Sequence, residues 1–288
     1  MASSNVLSRP PNIRPDWTVD QNWESFSPSD HDRWRRLYDR QMQVLEGRAC
    51  DAFFRGLHAL DLHGNGIPDF AILNRQLTSK FGWTIVAVPG LIPDAVFFEH
   101  LANRRFPAGN FIRSESEFDY IEAPDIFHDV FGHIPMLTDR VFGDYIQAYG
   151  QGGLRALSLN CLDSLARLYW YSVEFGLINT DSGPRIYGAG ILSSPAESCF
   201  ALESSSPHRV GFDLMRVMRT LYRIDDFQEI YFQIKDFNEL FEATLQDFAP
   251  IYQALQTCTT LQPDTILPSD IIVQRGDQHY RDRFSVTI

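Results

Sequence analysis

The run from Leu154 to Phe175 constrains the fold most, because it is apolar or aromatic on most faces and reads as one buried central helix that the rest of the chain must surround. Near its end, in Arg167-Leu168-Tyr169-Trp170-Tyr171-Ser172-Val173-Glu174-Phe175-Gly176-Leu177, stands a single carboxylate, Glu174. Burying it alone is costly, so it needs a positive partner, either an arginine or a metal ion. The chain can build such a core: 44% of its 288 residues are hydrophobic and 13% aromatic. That length is about twice a typical domain quota of roughly 150 residues, which allows one large domain or two small ones and excludes a peptide or a multidomain assembly, while the apolar content argues against wholesale disorder.

Helices are predicted over His31–Leu45, with Ser29 or Asp30 as cap, and over Ala49–Leu60 and Asp69–Phe81. Another carries Phe97, Phe98 and Leu101, and three more cover Asp125–Gly132, Asp139–Tyr149 and Leu154–Phe175. Phe237–Leu255 reads as a closing helix. Trp83–Val88 is the clearest strand, with short ones at Arg185–Tyr187, Val210–Phe212 and Ile230–Ile234. No repeat, low-complexity tract or Gly/Ser linker divides the chain. The expectation is a mainly α fold with short β-strands: an extended lead-in over 1–30, one catalytic domain over 31–262, and a C-terminal extension over 263–288.

Partners and compartment follow from charge and cysteine use. The formal net charge of −12 disfavours nucleic acid and anionic membrane surfaces. Cys50, Cys161, Cys199 and Cys258 lie far apart with no CxxC pair, so neither a zinc ribbon nor a disulfide framework is signalled, and a reducing compartment fits. The first residues lack a secretory pattern, and no apolar run approaches the roughly 20 residues of a membrane span. A cytoplasmic protein is expected.

The block Pro124-Asp125-Ile126-Phe127-His128-Asp129-Val130-Phe131-Gly132-His133-Ile134-Pro135 concentrates two histidines and two aspartates. On an ideal α-helix a five-residue step leaves two side chains about 140° apart, so a straight helix does not converge His128 and His133. Gly132 and Pro135 are expected to break the helix and let the second histidine swing in. The five-residue spacing also departs from HExxH. Each histidine alone reads as an ordinary hydrogen-bonded core residue; the framed pair, with Glu174 as third ligand, reads as a metal site. Two imidazoles and one carboxylate with open positions suit non-haem Fe(II), but zinc accepts the same donors.

These motifs resemble the pterin-dependent aromatic amino acid hydroxylases, most closely the single-domain bacterial phenylalanine 4-hydroxylases. The likeness runs from about Trp34 to Phe248. It is carried by Val88-Pro89-Gly90-Leu91-Ile92-Pro93, Leu101-Ala102-Asn103-Arg104-Arg105-Phe106-Pro107, the Pro124–Pro135 block, Tyr169–Leu177 and Tyr187-Gly188-Ala189-Gly190-Ile191-Leu192-Ser193-Ser194, in that order. The resemblance implies an aromatic amino acid hydroxylase catalytic domain with His128, His133 and Glu174 as iron ligands. It implies Arg113 as clamp of the substrate carboxylate, Asp125 as the aspartate holding that arginine, Trp170 and Phe175 as substrate walls, and Ser193 as a hydroxyl near the substrate. Phe97 corresponds to the ring on which the pterin stacks, the backbone of Gly90, Leu91 and Ile92 to its polar edge, and Asp129 to a pterin-orienting carboxylate that is Glu in animal members. Fe(II) and a tetrahydropterin would share the reduction of O2, with pterin-recycling enzymes as functional partners. The chain looks too short for the regulatory domain or oligomerising helix of animal members, which implies a monomer.

Two departures stand out. Ile121-Glu122 replaces a Thr-Pro pair, and Gln233 occupies a position that is usually apolar and bears on substrate preference. The amide either bonds locally to backbone or shifts the chemistry towards meta-hydroxylation, tyrosine or tryptophan. Two other readings compete: a zinc hydrolase with Asp129 as base, and a non-catalytic metal-stabilised binding protein.

Overall fold

The computed structural model describes residues 9–280 apart from 12, 120 and 122. Helix α1 (Pro28–Leu45) starts earlier than the hydrophobic period alone indicates. Ser27 accepts the Asp30 N–H while the Asp30 carboxylate accepts the Ser27 N–H, with Pro28 in the first turn. The cap is therefore Ser27 rather than Ser29 or Asp30, because only it closes this reciprocal pair of bonds. Helices α2 (Asp51–Ala59) and α3 (Phe70–Phe81, stopped by Gly82 at φ 74°) precede β1 (Thr84–Val88) and α4 (Asp94–Ala102).

The run read as one central helix is in fact shared by three elements. Helix α5 (Arg140–Ser158) absorbs the predicted Asp139–Tyr149 helix and the first part of the run. The chain then turns at Asn160, with φ 54°, before α6 (Leu162–Tyr169) and a π-helix (Trp170–Glu174). Asparagine tolerates that left-handed conformation, so a local turn overrides the apolar run. Phe237–Leu255 likewise divides into α10 (Phe237–Thr244) and α11 (Phe248–Thr257). In one continuous helix Pro250 would remove a bond to the preceding turn; instead Asp247 caps a new helix and Pro250 lies in its first turn.

A five-stranded sheet has the order β4-β3-β6-β5-β7, formed by β3 (Leu177–Thr180), β4 (Gly183–Ile186), β5 (His208–Gly211), β6 (Ile230–Ile234) and β7 (Ile272–Gln274). The predicted strands at 185–187 and 210–212 thus begin two residues earlier. A separate parallel pair joins β1 to β2 (Arg105–Gly109), in a stretch the sequence pattern leaves irregular because Pro107 and Gly109 argue against a strand. Helices α7 (Ala189–Leu192), α8 (Pro195–Glu203) and α9 (Leu214–Met218) complete the chain order. No helix among the described residues is long and apolar enough to cross a membrane.

The Asp125–Gly132 prediction is corrected most informatively. Residues Phe127–His133 form a π-helix, running on into a tight 3-10 turn over Ile134–Thr138. Gly132 lies inside the helix rather than ending it. Phe127 and Phe131 project from its back, stacked at 4.8 Å and wedged edge-on against Trp34 of α1 and Phe53 of α2, all buried. That aromatic block fixes the helix in the core and turns its other side towards the cleft.

Helix α2 reaches the 3-10 turn through Gly56, where an added Cβ would overlap the Pro135 carbonyl. Gly56→Ala is expected to cost about 1–3 kcal/mol through overpacking, seen as a lower urea midpoint with an unchanged slope.

Candidate metal centre

In a π-helix the repeat is i→i+5, one residue wider than in an α-helix. Residues five apart therefore lie nearly above one another, and His128 and His133 bring their Nε2 atoms within 3.3 Å. A helix break is not what converges them. The second π-helix ends on Glu174, whose Oε1 lies 3.3 Å from His133 Nε2 and Oε2 3.5 Å from His128 Nε2. Donor atoms of the three side chains all lie within 4.8 Å of one another, the one such group among the described residues.

The hydrogen bonds around this cluster decide what it can hold. Ser193 donates its hydroxyl proton to the Ala189 carbonyl at 2.8 Å. Towards His128 Nδ1, at 2.9 Å, it must therefore accept, so the proton of His128 sits on Nδ1 and Nε2 is a bare lone pair. Burial also pushes this imidazole down to about 4, keeping it neutral, although the Glu174 charge pulls the other way. Burial raises the Glu174 carboxyl, but the neighbouring His133, which also hydrogen-bonds it, and the Gly190 N–H outweigh it and hold the group below its ordinary range. A bare nitrogen thus faces a carboxylate oxygen with no proton between them. Two acceptors in that position repel, and a divalent cation converts the repulsion into coordination. The donor set, three ligands on one side of an ion, fits ferrous iron with open positions.

Supporting groups come from several elements. Asp125 is buried and grips Arg113 through Oδ2 to Nε at 2.8 Å and Oδ1 to Nη2 at 2.9 Å, leaving Nη1 unused by this pair. The same carboxylate accepts the backbone N–H of Arg113 at 2.9 Å and of His128 at 3.0 Å, so it ties the arginine to the histidine helix. Burial pushes Asp125 up, but the Arg113 bonds and charge prevail and hold it below its ordinary value. Asp129, which burial pushes up to about 7, accepts from the Gly109 N–H at the end of β2 at 2.7 Å.

Trp170 and Phe175 lie at opposite ends of the Glu174 turn, with ring centroids 4.7 Å apart. Phe97 reaches the centre indirectly: its ring meets Tyr169 at 5.8 Å, and Tyr169 lies 6.4 Å from His133. Gly90, at φ 154°, Leu91 and Ile92 form the loop after β1, with Leu91 exposed. Gln233 does not bond to backbone through its side chain; its Nε2 donates to Asn179 Oδ1 at 3.2 Å, and its buried Oε1 has no protein partner. Glu122 lies outside the described residues. Sequence reasoning passed over Tyr169, Phe106, whose ring lies 4.8 Å from His133, and Gln228, which accepts the Trp170 indole N–H at 2.9 Å. Phe106 and Tyr169 fell within the recognised motifs without a role, while Gln228 lies far along the chain with no motif around it.

Ser193→Ala removes the acceptor that fixes the His128 tautomer and is expected to weaken iron binding about 10–100-fold, measured by Fe(II) titration. Because the folded Asp125 carboxyl is depressed, its stabilisation is full above the unfolded value near ~3.9 and is lost as pH falls through the folded value. Asp125→Asn should therefore cost about 3–5 kcal/mol at pH 7, with the gap from wild type narrowing in melts taken below about pH 4.

The profile of the Biopterin-dependent aromatic amino acid hydroxylase family matches residues 23–261. A curated relative, phenylalanine-4-hydroxylase of Caulobacter vibrioides, is 62% identical over 271 residues, covering 94% of this chain and 92% of its own. A solved structure of the Chromobacterium violaceum phenylalanine hydroxylase with iron and phenylalanine bound is 53% identical, with a TM-score of 0.87 over 91% of this chain and 96% of that one. With the two-histidine, one-carboxylate centre carried on two π-turns, this chain belongs to the biopterin-dependent aromatic amino acid hydroxylases.

Proposed function

We propose that the chain is an iron- and tetrahydropterin-dependent L-phenylalanine 4-hydroxylase, forming tyrosine with O2. The observation that carries this reading is the open triad of His128, His133 and Glu174 beside a buried arginine fork. Relatives named as phenylalanine-4-hydroxylases at 54–62% identity support the choice of substrate.

Iron and a tetrahydropterin, when bound, supply the reduction of O2 that delivers one oxygen atom to the ring. The chain's own residues bind and orient. Arg113, locked by Asp125, offers Nη1 to the substrate carboxylate, and a rigid fork suits that planar anion. Trp170 and Phe175 wall the amino acid ring and exclude water, while Ser193 keeps His128 Nε2 free for the metal. Phe97 provides the face on which the pterin stacks, and backbone of Gly90, Leu91 and Ile92 meets its polar edge. Asp129, across from Gly109, orients the pterin or a water. The reading extends to a cytoplasmic monomer served by pterin-recycling enzymes, in keeping with four unpaired cysteines.

Purified protein supplied with Fe(II), tetrahydropterin, O2 and phenylalanine is expected to form tyrosine, whereas Glu174→Ala should stay folded and lose turnover with its iron. Absence of product from every aromatic amino acid defeats the reading, and turnover with zinc and no pterin would favour a hydrolase. The unpaired Oε1 of Gln233 favours one variation, a shifted ring position or substrate. NMR of the product from phenylalanine decides it: para-tyrosine alone, unchanged in Gln233→Leu, supports 4-hydroxylation.

A further inference from the structure

We propose that Gln228 is a positioning residue for the substrate ring, because its side-chain carbonyl fixes the rotation of the Trp170 indole beside the metal centre. The proposal rests on the reading of Trp170 as a substrate wall. Trp170 begins the π-turn that ends at Glu174, and the Phe175 N–H closes that turn on the Trp170 carbonyl at 2.8 Å. The indole is held between two rings: Tyr222 stacks on it at 4.3 Å and 15°, and Phe175 leans against it at 4.7 Å and 31°. Stacking sets the plane of an indole but does not choose which partner its N–H faces. One directional contact remains, the bond from Trp170 Nε1–H to Gln228 Oε1 at 2.9 Å.

The amide that receives this bond cannot turn over. Gln228 Nε2 donates to the carbonyls of Arg223 at 2.9 Å and Asp226 at 3.3 Å, so the amino group is committed to that side and the oxygen to Trp170. Only 2% of Gln228 is exposed. Its own N–H donates at 3.3 Å to Glu197, a buried acid in the first turn of α8 that also accepts the Tyr231 hydroxyl. Burial pushes that carboxyl up to about 7, so it is anchored by hydrogen bonds rather than by a cation. Glu197 follows Ser193, the residue that orients His128, by one turn of chain. One short segment thus braces a metal ligand directly and the indole through Gln228, holding ring and metal in a common frame. The stretch 219–229 has no motif of its own, yet Tyr222 and Gln228 both come from it.

Gln228→Met keeps the length and deletes the acceptor, together with the two bonds that Nε2 donates to Arg223 and Asp226, and the Trp170→Phe background separates the two losses. Its expected effect is a roughly fivefold to tenfold fall in kcat/KM for phenylalanine, the size of one buried hydrogen bond. In the Zn(II)-loaded, diamagnetic protein, the Trp170 indole N–H resonance should shift and exchange with solvent at least about tenfold faster. In a Trp170→Phe background, which lacks the donor, adding Gln228→Met should change kcat/KM by less than about twofold further. Equal losses in both backgrounds, or an unmoved indole resonance, overturn the proposal. A moved resonance with kcat/KM unchanged places the fault in the wall reading of Trp170 and overturns the role in substrate presentation with it. If Gln228→Met does not fold, benzothienylalanine in place of Trp170 deletes the same bond with Gln228 intact. That protein should show the same fall in kcat/KM, and wild-type kinetics from it would refute the proposal.

Discussion

The structure turns on three lone-pair donors that must face one another. The bare Nε2 of His128, His133 Nε2 and the Glu174 carboxylate meet within 4.8 Å, and no proton lies between His128 Nε2 and the Glu174 oxygen that faces it. A metal ion bound there would turn that contact between two acceptors into coordination. The surrounding core makes this possible: Phe127 and Phe131 lock one π-turn against Trp34 and Phe53, and Tyr171 and Val173 bury the back of the other. Apolar burial thus supplies the force that holds polar atoms close together.

Both ligand-bearing turns are π-helical, and that shared geometry links backbone to chemistry. A π-turn carries one residue more per hydrogen-bonded ring than an α-turn and persists where tertiary packing or ligation compensates for its poorer internal contacts. Here the compensation is visible in Asp125, which takes the His128 N–H while clamping Arg113, and in Gly188, where a Cβ would strike the Glu174 backbone. The carboxylate that orients the arginine fork therefore also caps the helix that orients the metal. Arginine and metal-ligand helix are thus held by one buried group.

Much of the centre was legible because its residues are chemically out of place. Glu174 is a lone acid in an aromatic run, and His128 and His133 stand among phenylalanines; both contradictions point to a ligand. The geometry that unites them was not legible. Gly132 and Pro135 read as a break, yet the glycine sits within a continuous wide turn, where a Cβ added to it would press on Ala189 at 3.0 Å. The central helix was read as one because its apolar pattern continues past Asn160, where a single left-handed residue ends α5. Strand β2 was missed because Pro107 and Gly109 argue against it, and β7 because its three residues are exposed.

Composition and spacing by themselves indicated a mainly helical core and marked His128, His133 and Glu174 as candidate ligands, since each is costly to bury without a partner, while the pairing of Asp125 with Arg113 came only from the family resemblance. Tertiary structure decided the width of the turns, the tautomer of His128, the destination of the Gln233 amide and the brace from Glu197 through Gln228 to Trp170. Those depend on directional contacts between residues tens of positions apart. A hydrogen bond is specified by distance and angle in space, and no local pattern along the chain encodes either.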